Sequence, residues 1–280
     1  MSKNKPLHPF GLLNFTIIKL IICVSGLSIM LPASSANLSA CTESPKPLTE
    51  LSQAPIKQQA AAITVKVLST QFLGTGILLK RQNNIYTILT NAHVLEADEP
   101  PYTIETPDRQ IHPAKVYKKV NFGKYDLAIL EFSSSKIYSI ATFGTQPQIG
   151  DEVFIAGFPA NEETEPNFTF RTGKIVLVLE KALERGYQIG YTNKLEKGMS
   201  GGPLLNQHGE LIGLNGMHAY PLWDVPSVFI DGTTADEKLH QKIVRLSWAI
   251  TIDKLNPFLS RSQSPTGNAE REALPQNKVR

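Results

Sequence analysis

The segment Lys197-Gly198-Met199-Ser200-Gly201-Gly202-Pro203 sets one hydroxyl in a glycine-rich turn, ahead of the apolar pair Leu204-Leu205. A serine hydroxyl becomes a useful nucleophile only when a base takes its proton and donors stabilise the oxyanion its attack creates. Glycine on both sides lets backbone N–H groups approach that oxyanion with no Cβ in the way. Alone the turn signals little, because Gly/Ser clusters also mark ordinary turns. Two upstream segments supply the missing groups. The apolar run 85–89 leads into Thr90-Asn91-Ala92-His93-Val94, and Tyr125-Asp126-Leu127-Ala128-Ile129-Leu130 puts an acid at the head of a second run. His93, Asp126 and Ser200 follow one another at separations of 33 and 74 residues. Singly, each has a plain structural role: a turn serine, a helix-start or core histidine, a strand-edge aspartate. Together, in matching strand contexts, they form a base, an orienting acid and a nucleophile. His112, His208, His218 and His240 have no comparable setting, and Asp98, Asp108 and Asp151 sit in Pro- or Gly-rich turns. No His-Glu-x-x-His or Cys/His cluster points to a metal, and no glycine-rich phosphate loop precedes a helix.

These residues need elements to position them. Short strand-like runs recur at 63–68, 76–80, 85–90, 111–117 and 127–132, then at 152–157, 168–178, 188–191, 203–205, 210–215 and 247–252. Their spacing predicts an all-β barrel or sandwich. The two sets part near Gly144-Thr145-Gln146-Pro147, so His93 and Asp126 come from one half and Ser200 from the other. A cleft between the halves would assemble them. One helix is predicted: Thr234-Ala235-Asp236-Glu237 reads as a capping box, with Leu239, Ile243 and Leu246 as an apolar stripe behind it. It lies in a long insert, 220–246, which reads either as a selectivity element or lid, or as a packed loop.

The three segments, with G-T-G-I-L-L at 74–79 and G-F-P at 157–159, resemble the chymotrypsin-fold serine proteases, above all the bacterial HtrA-type branch. The similarity covers roughly residues 60 to 255. It implies two antiparallel six-stranded β-barrels, about 59–145 and about 146–259, with the active site in the cleft between them. It also implies a serine-type endopeptidase that acts on polypeptide substrates without a cofactor or metal. By the same resemblance, His93, Asp126 and Ser200 are catalytic, and the N–H groups of Gly198 and Ser200 form the oxyanion hole. Lys194 and Leu195 approach the floor and wall of the primary pocket, and Asn215, Gly216, Met217 and His218 form the edge strand that pairs with substrate. No aspartate stands at the floor, so cleavage after Arg or Lys is not expected. Lys194 with His218 could accept an acidic side chain; alternatively Lys194 points to solvent and Leu195 lines a small apolar pocket. Met199 departs from the digestive enzymes, where an aspartate before the serine receives the new N-terminal ammonium after zymogen cleavage. A function of another class also fits the motifs, a protease-fold binding or chaperone-like module with little or no catalysis.

The ends of the chain bear on where it works. Lys3, Lys5 and Lys19 lead into the apolar stretch 20–31, followed by Pro32 and small residues, the layout of a secretory signal. An uncleaved anchor is the other reading, since 10–31 is just long enough to span a bilayer. Ser34-Ser35-Ala36 suits ordinary cleavage, giving a signal over 1–36. Leu38-Ser39-Ala40-Cys41 resembles a lipobox, which would extend it to 1–40 and lipidate Cys41. Either way the protein is expected to be exported, periplasmic or secreted, or held at the membrane through Cys41. Cys23 lies in the signal, leaving at most one cysteine in the mature chain and no intramolecular disulfide. Of the 28 basic and 25 acidic residues, three lysines lie within 1–40, so 25 of each remain and nothing favours nucleic acid. Residues 37–58 are polar and Pro-rich, a linker, and 260–280 are expected to be disordered.

Overall fold

The structure is a computed structural model that describes residues 48–160, 164–219, 225–256 and 258, with side chains from residue 53 onward. The signal, Cys41, the start of the linker and the 260–280 tail lie outside those residues.

Twelve strands close into two antiparallel barrels of six. The first comprises β1 (Thr64–Leu68), β2 (Phe72–Gln82), β3 (Ile85–Thr90), β4 (Tyr102–Glu105), β5 (Ile111–Val116) and β6 (Ala128–Ser133), in the order β1-β2-β3-β6-β5-β4. The second comprises β7 (Glu152–Gly157), β8 (Thr169–Val178), β9 (Tyr187–Tyr191), β10 (Pro203–Leu205), β11 (Leu211–Met217) and β12 (Ser247–Thr251), in the order β10-β11-β12-β9-β8-β7. This is the chymotrypsin-like two-barrel architecture.

The strand sequences explain why both faces of several strands are apolar. In β3, Ile88 points into the first barrel with Val65, Val67, Leu78 and Leu130, while the next residue, Leu89, joins a cluster between the barrels. In β7, Val153 and Ile155 fill the second barrel, and Phe154 and Ala156 face the first. A strand covered on both sides reads as a continuous apolar run rather than as strict alternation. The inter-barrel layer adds Ile77, Leu79, Ile129, Leu214, Trp248 and Ile250. Each such fully buried side chain contributes about 1.5–3 kcal/mol, so no disulfide is needed to hold the halves together.

Three elements differ from the sequence reading. Residues 48–63, partly assigned to the linker, form α1 (Leu48–Ile63), with Pro55 inside it. Ala60 and Ile63 bury in the inter-barrel cluster, and the Gln59 amide donates to Gly209 O at 3.0 Å. The apolar anchors of this helix sit at its end, behind a polar first half that reads as linker. β4 was absent from the reading because it is four residues long and bounded by Pro100-Pro101 and Pro107. The predicted helix exists as α3 (Glu237–Ile243), but its cap is Asp236, which accepts from Leu239 N at 2.8 Å, not Thr234. Thr234 pairs with Val228 and Ala235 N donates to Ser227 O, so the chain stays extended for two residues past the expected cap.

Candidate active site

β3 and β6 pair in register up to Thr90↔Ala128. The chain leaving β3 therefore runs beside the chain entering β6, which brings the T-N-A-H and Y-D-L segments together. The buried Asn91 amide donates to Asp126 O at 2.9 Å, and His93 lies in the short helix α2 (Ala92–Glu96) that follows. His93 N donates to Asp126 Oδ1 at 2.9 Å, and His93 Nδ1 is 2.6 Å from Oδ2. The ionised carboxylate can only accept, so Nδ1 is the donor and the neutral ring has its lone pair on Nε2.

Asp126 has no exposed side-chain surface, whereas the imidazole is about one-third exposed. Two groups from the second barrel complete the carboxylate's shell. The Tyr187 hydroxyl donates to Oδ2, and the Arg185 guanidinium donates to Oδ1 at 3.1 Å. Burial raises the carboxyl's pKa, but the His93 hydrogen bond and charge, the Tyr187 hydroxyl and the His93 N–H hold it at about 2. Burial and the Asp126 charge push the Tyr187 hydroxyl well up, so it remains a donor. Gly216 makes room for that hydroxyl, because a Cβ there would overlap it.

Ser200 sits in the turn before β10, and the four carbonyls of residues 197–200 each accept a hydrogen bond. Ala160 N donates to Lys197 O at 2.8 Å, Thr75 Oγ1 to Gly198 O at 2.7 Å, Gly202 N to Met199 O at 3.1 Å and Thr75 N to Ser200 O at 2.9 Å. The N–H groups of Gly198 and Ser200 have no protein acceptor among the described residues. Gly198 adopts a φ of +89°, and a Cβ there would lie 2.6 Å from Phe158 O and 2.7 Å from Ala160 N. Only glycine fits. Thr75 is itself held by Thr90, whose hydroxyl donates to Thr75 O at 2.8 Å. The Ser200 hydroxyl donates to Gly216 O at 3.3 Å.

The specificity candidates separate. The Lys194 side chain is 77% exposed and its ammonium pairs with Glu196 at 2.8 Å. Glu196 also pairs with Arg171 at 2.7 Å, and the Arg171 guanidinium donates to Lys194 O. A charge so engaged on the surface does not line a pocket floor, so the acidic-substrate reading of Lys194 with His218 loses its basis. Leu195 is buried in the core of the second barrel in one cluster with Met199, Ile155 and Leu204. Asn215 is a brace: its amide donates to Pro203 O at 2.8 Å, and its side-chain oxygen accepts from Tyr191 at 2.9 Å. Its backbone O accepts from Gly201 N. Gly216 and Met217 are partly buried and His218 is exposed, along the continuing strand. Met217 also borders a cleft of about 220 Å³ with Leu183, Val225, Val228 and Ile243.

Sequence reasoning missed Thr75, Arg185 and Tyr187. Thr75 enters the sequence reading only as part of the G-T-G-I-L-L motif at 74–79, and Arg185 and Tyr187 fall just outside the strand-like run 188–191. Nothing local in sequence points from any of them to Asp126 or to the serine turn.

The comparisons with known proteins agree with this geometry. A family model described as the trypsin-like peptidase domain matches residues 74–214. A serine protease Do-like HtrA of Bacillus subtilis (strain 168) is 27% identical over 154 residues, 51% of this chain and 33% of the relative. The serine protease Do-like HtrB of the same organism is 26% identical over 157 residues, 51% of this chain and 32% of its own length. HtrA of Lactococcus lactis subsp. lactis (strain IL1403) is 25% identical over 150 residues, 50% and 36% of the two chains. The match thus spans about a third of the length of these curated relatives. With two closed six-stranded barrels, a serine turn in the cleft and a family match over half its length, the chain belongs to the trypsin-like peptidase domain family.

Proposed function

We propose that the protein is an exported serine endopeptidase that cleaves polypeptides through Ser200, His93 and Asp126. The observation that carries this reading is the capped turn, in which four carbonyls accept hydrogen bonds and the N–H groups of Gly198 and Ser200 are left for an oxyanion. Ser200 Oγ attacks the scissile carbonyl carbon as His93 Nε2 takes its proton. The tetrahedral oxygen forms hydrogen bonds with the N–H groups of Gly198 and Ser200, each worth about 3 kcal/mol of barrier. The imidazolium, paired with Asp126, returns the proton to the leaving amine. The C–N bond then breaks and an acyl-enzyme remains. Water, deprotonated by the same imidazole, hydrolyses the ester and restores Ser200. For attack the hydroxyl must rotate from Gly216 O to His93, and this frees the Gly216 carbonyl to accept an N–H of an extended substrate. Such tightening on substrate binding is common in this chemistry.

Export rests on the N-terminal charge and apolar pattern, with Cys41 as the site of lipidation if the second cleavage site is used. No helix of the described residues is long and apolar enough to cross a membrane.

A fluorophosphonate probe tests the reading. The folded protein should be labelled once, and peptide mass spectrometry should place the adduct on Ser200. Folded protein that takes no label would favour the binding-module reading instead.

Activity should not depend on a freshly cut N-terminus. Met199 is fully buried in the second barrel's core, where it cannot pair with an ammonium. α1 also anchors the chain ahead of β1, through Ala60 and Ile63 in the inter-barrel cluster and Gln59 on Gly209 O. A protein starting at residue 37 should label as fast as one clipped near residue 60. A chain inert until clipped would refute this point.

A further inference from the structure

The 179–186 loop and the 225–244 part of the insert are joined by a small sheet-like contact. Leu183 pairs with Phe229, Glu184 N donates to Val228 O at 2.8 Å, and Ile230 N donates to Ala182 O at 3.0 Å. Lys181 pairs with Asp231 at 2.6 Å and lies 5.5 Å over the Phe229 ring. From the first barrel, Lys124 donates to Ile230 O at 3.3 Å. The described part of the insert, 225–244, is thus packed onto the loop.

That loop presents Arg185 to the acid of the triad. Arg185 has a φ of +62°, the left-handed region that non-glycine residues seldom occupy. There its backbone O accepts from Asp126 N at 2.8 Å while its guanidinium reaches Asp126 Oδ1 at 3.1 Å. The following residue, Gly186, has a φ of +96°, and a Cβ on it would overlap the Tyr125 ring. The same guanidinium nitrogen lies 3.1 Å from Glu96, at the end of the helix that carries His93. The charged and titratable groups around the acid are therefore His93 and Glu96 from α2, Arg185 from the loop and Tyr187 from β9.

We propose that Arg185, buttressed by the insert, is a positioning residue that fixes the Asp126 carboxylate and offsets part of its charge, so that His93 works as a base at lower pH. The proposal rests on the catalytic roles given to His93 and Asp126 above. A full positive charge against one carboxylate oxygen weakens the pull of that carboxylate on the imidazolium. The effect is moderate, because the guanidinium is 44% exposed and screened by solvent.

The test compares the full chain with Arg185→Met and Arg185→Lys. One readout is the kcat/KM–pH profile on a peptide substrate. The other is the NMR titration midpoint of the His93 ring nitrogens, which needs no activity. In the Met variant both the acid limb and the NMR midpoint should move up by roughly 0.3–1 pH unit, with kcat about tenfold lower and KM little changed. The Lys variant should stay within about 0.2 unit of the wild type. Met and wild-type midpoints that coincide, or a Lys variant displaced as far as Met, would overturn the proposal. If hydrolysis is absent altogether while the NMR midpoint still shifts, the enzyme reading fails and the electrostatic one stands. Equal melting temperatures separate either result from misfolding, and a Met variant that does not fold leaves the Lys comparison with the wild type to decide.

Discussion

Ser200→Ala is expected to lower peptide hydrolysis by about 10⁴- to 10⁶-fold while leaving the melting temperature within about 2 °C of the wild type. The Ser200 hydroxyl makes one long hydrogen bond, to Gly216 O at 3.3 Å, and its loss disturbs neither barrel. The turn keeps its shape through backbone bonds and Thr75, none of which involves that hydroxyl. Asp126→Asn should cost about 10⁴ in kcat for another reason: an amide at that position favours the wrong imidazole tautomer. Unlike the serine change, it should also alter stability. The Asp126 carboxyl is held at about 2, against about 3.9 for an unfolded aspartate. A depressed carboxyl stabilises the fold fully above the unfolded value and loses that contribution as pH falls toward 2. The roughly two-unit depression corresponds to about 2.5 kcal/mol. Urea unfolding from pH 7 down to pH 2 should therefore show a steeper acid-side loss in the wild type than in Asp126→Asn. If Ser200→Ala retained more than about a hundredth of the wild-type rate, the nucleophile would have to be sought elsewhere.

Gly201→Ala should be the most destabilising glycine substitution in the serine turn, by at least about 3 kcal/mol, with loss of fluorophosphonate labelling. Gly201 has a φ of +85°, and its Cβ would overlap both Thr75 O and the Thr90 hydroxyl. Neither can yield cheaply. Thr75 O accepts from Thr90, and Thr75 N and Oγ1 hold the carbonyls of Ser200 and Gly198. Gly232 provides the control. It has a similar φ of +87° but nothing within 4 Å of a Cβ, so alanine there should cost only about 1–2 kcal/mol of backbone strain. Thermal or urea unfolding of the two variants separates steric overlap from strain. Similar losses at both sites would mean that the Thr75 backbone moves more easily than its bonds suggest.

Much of this was legible in sequence because it is local. The three candidate catalytic segments carry their context with them: an apolar strand before the histidine, one after the aspartate and glycines around the serine. Every strand but β4 announces itself by an apolar run, since the inter-barrel layer makes both faces of several strands apolar. Residues whose roles depend on distant contacts were not legible. Thr75 acts on a turn 123 residues away, and Tyr187 on an acid 61 residues away. Lys194 has two readings in sequence, pocket floor or solvent, because its position relative to Ser200 says nothing about Glu196 and Arg171, with which it pairs at the surface. Thr234 misled because a capping pattern cannot reveal that the same residue is taken by a pairing with Val228.

The two barrels hold each other's parts of the proposed site. The carboxylate that belongs to the first is ligated by Arg185 and Tyr187 of the second, and the nucleophile turn of the second is tied down by Thr75 of the first. Neither half therefore carries a working portion of the site that could be inherited, exchanged or improved by itself. A barrel grafted from a relative would arrive without the hydroxyls and the guanidinium that its partner expects. Variation at Thr75 is constrained by Gly198 across the cleft, and variation at Gly216 by Tyr187 within the second barrel, so these positions must change in pairs rather than singly along the chain.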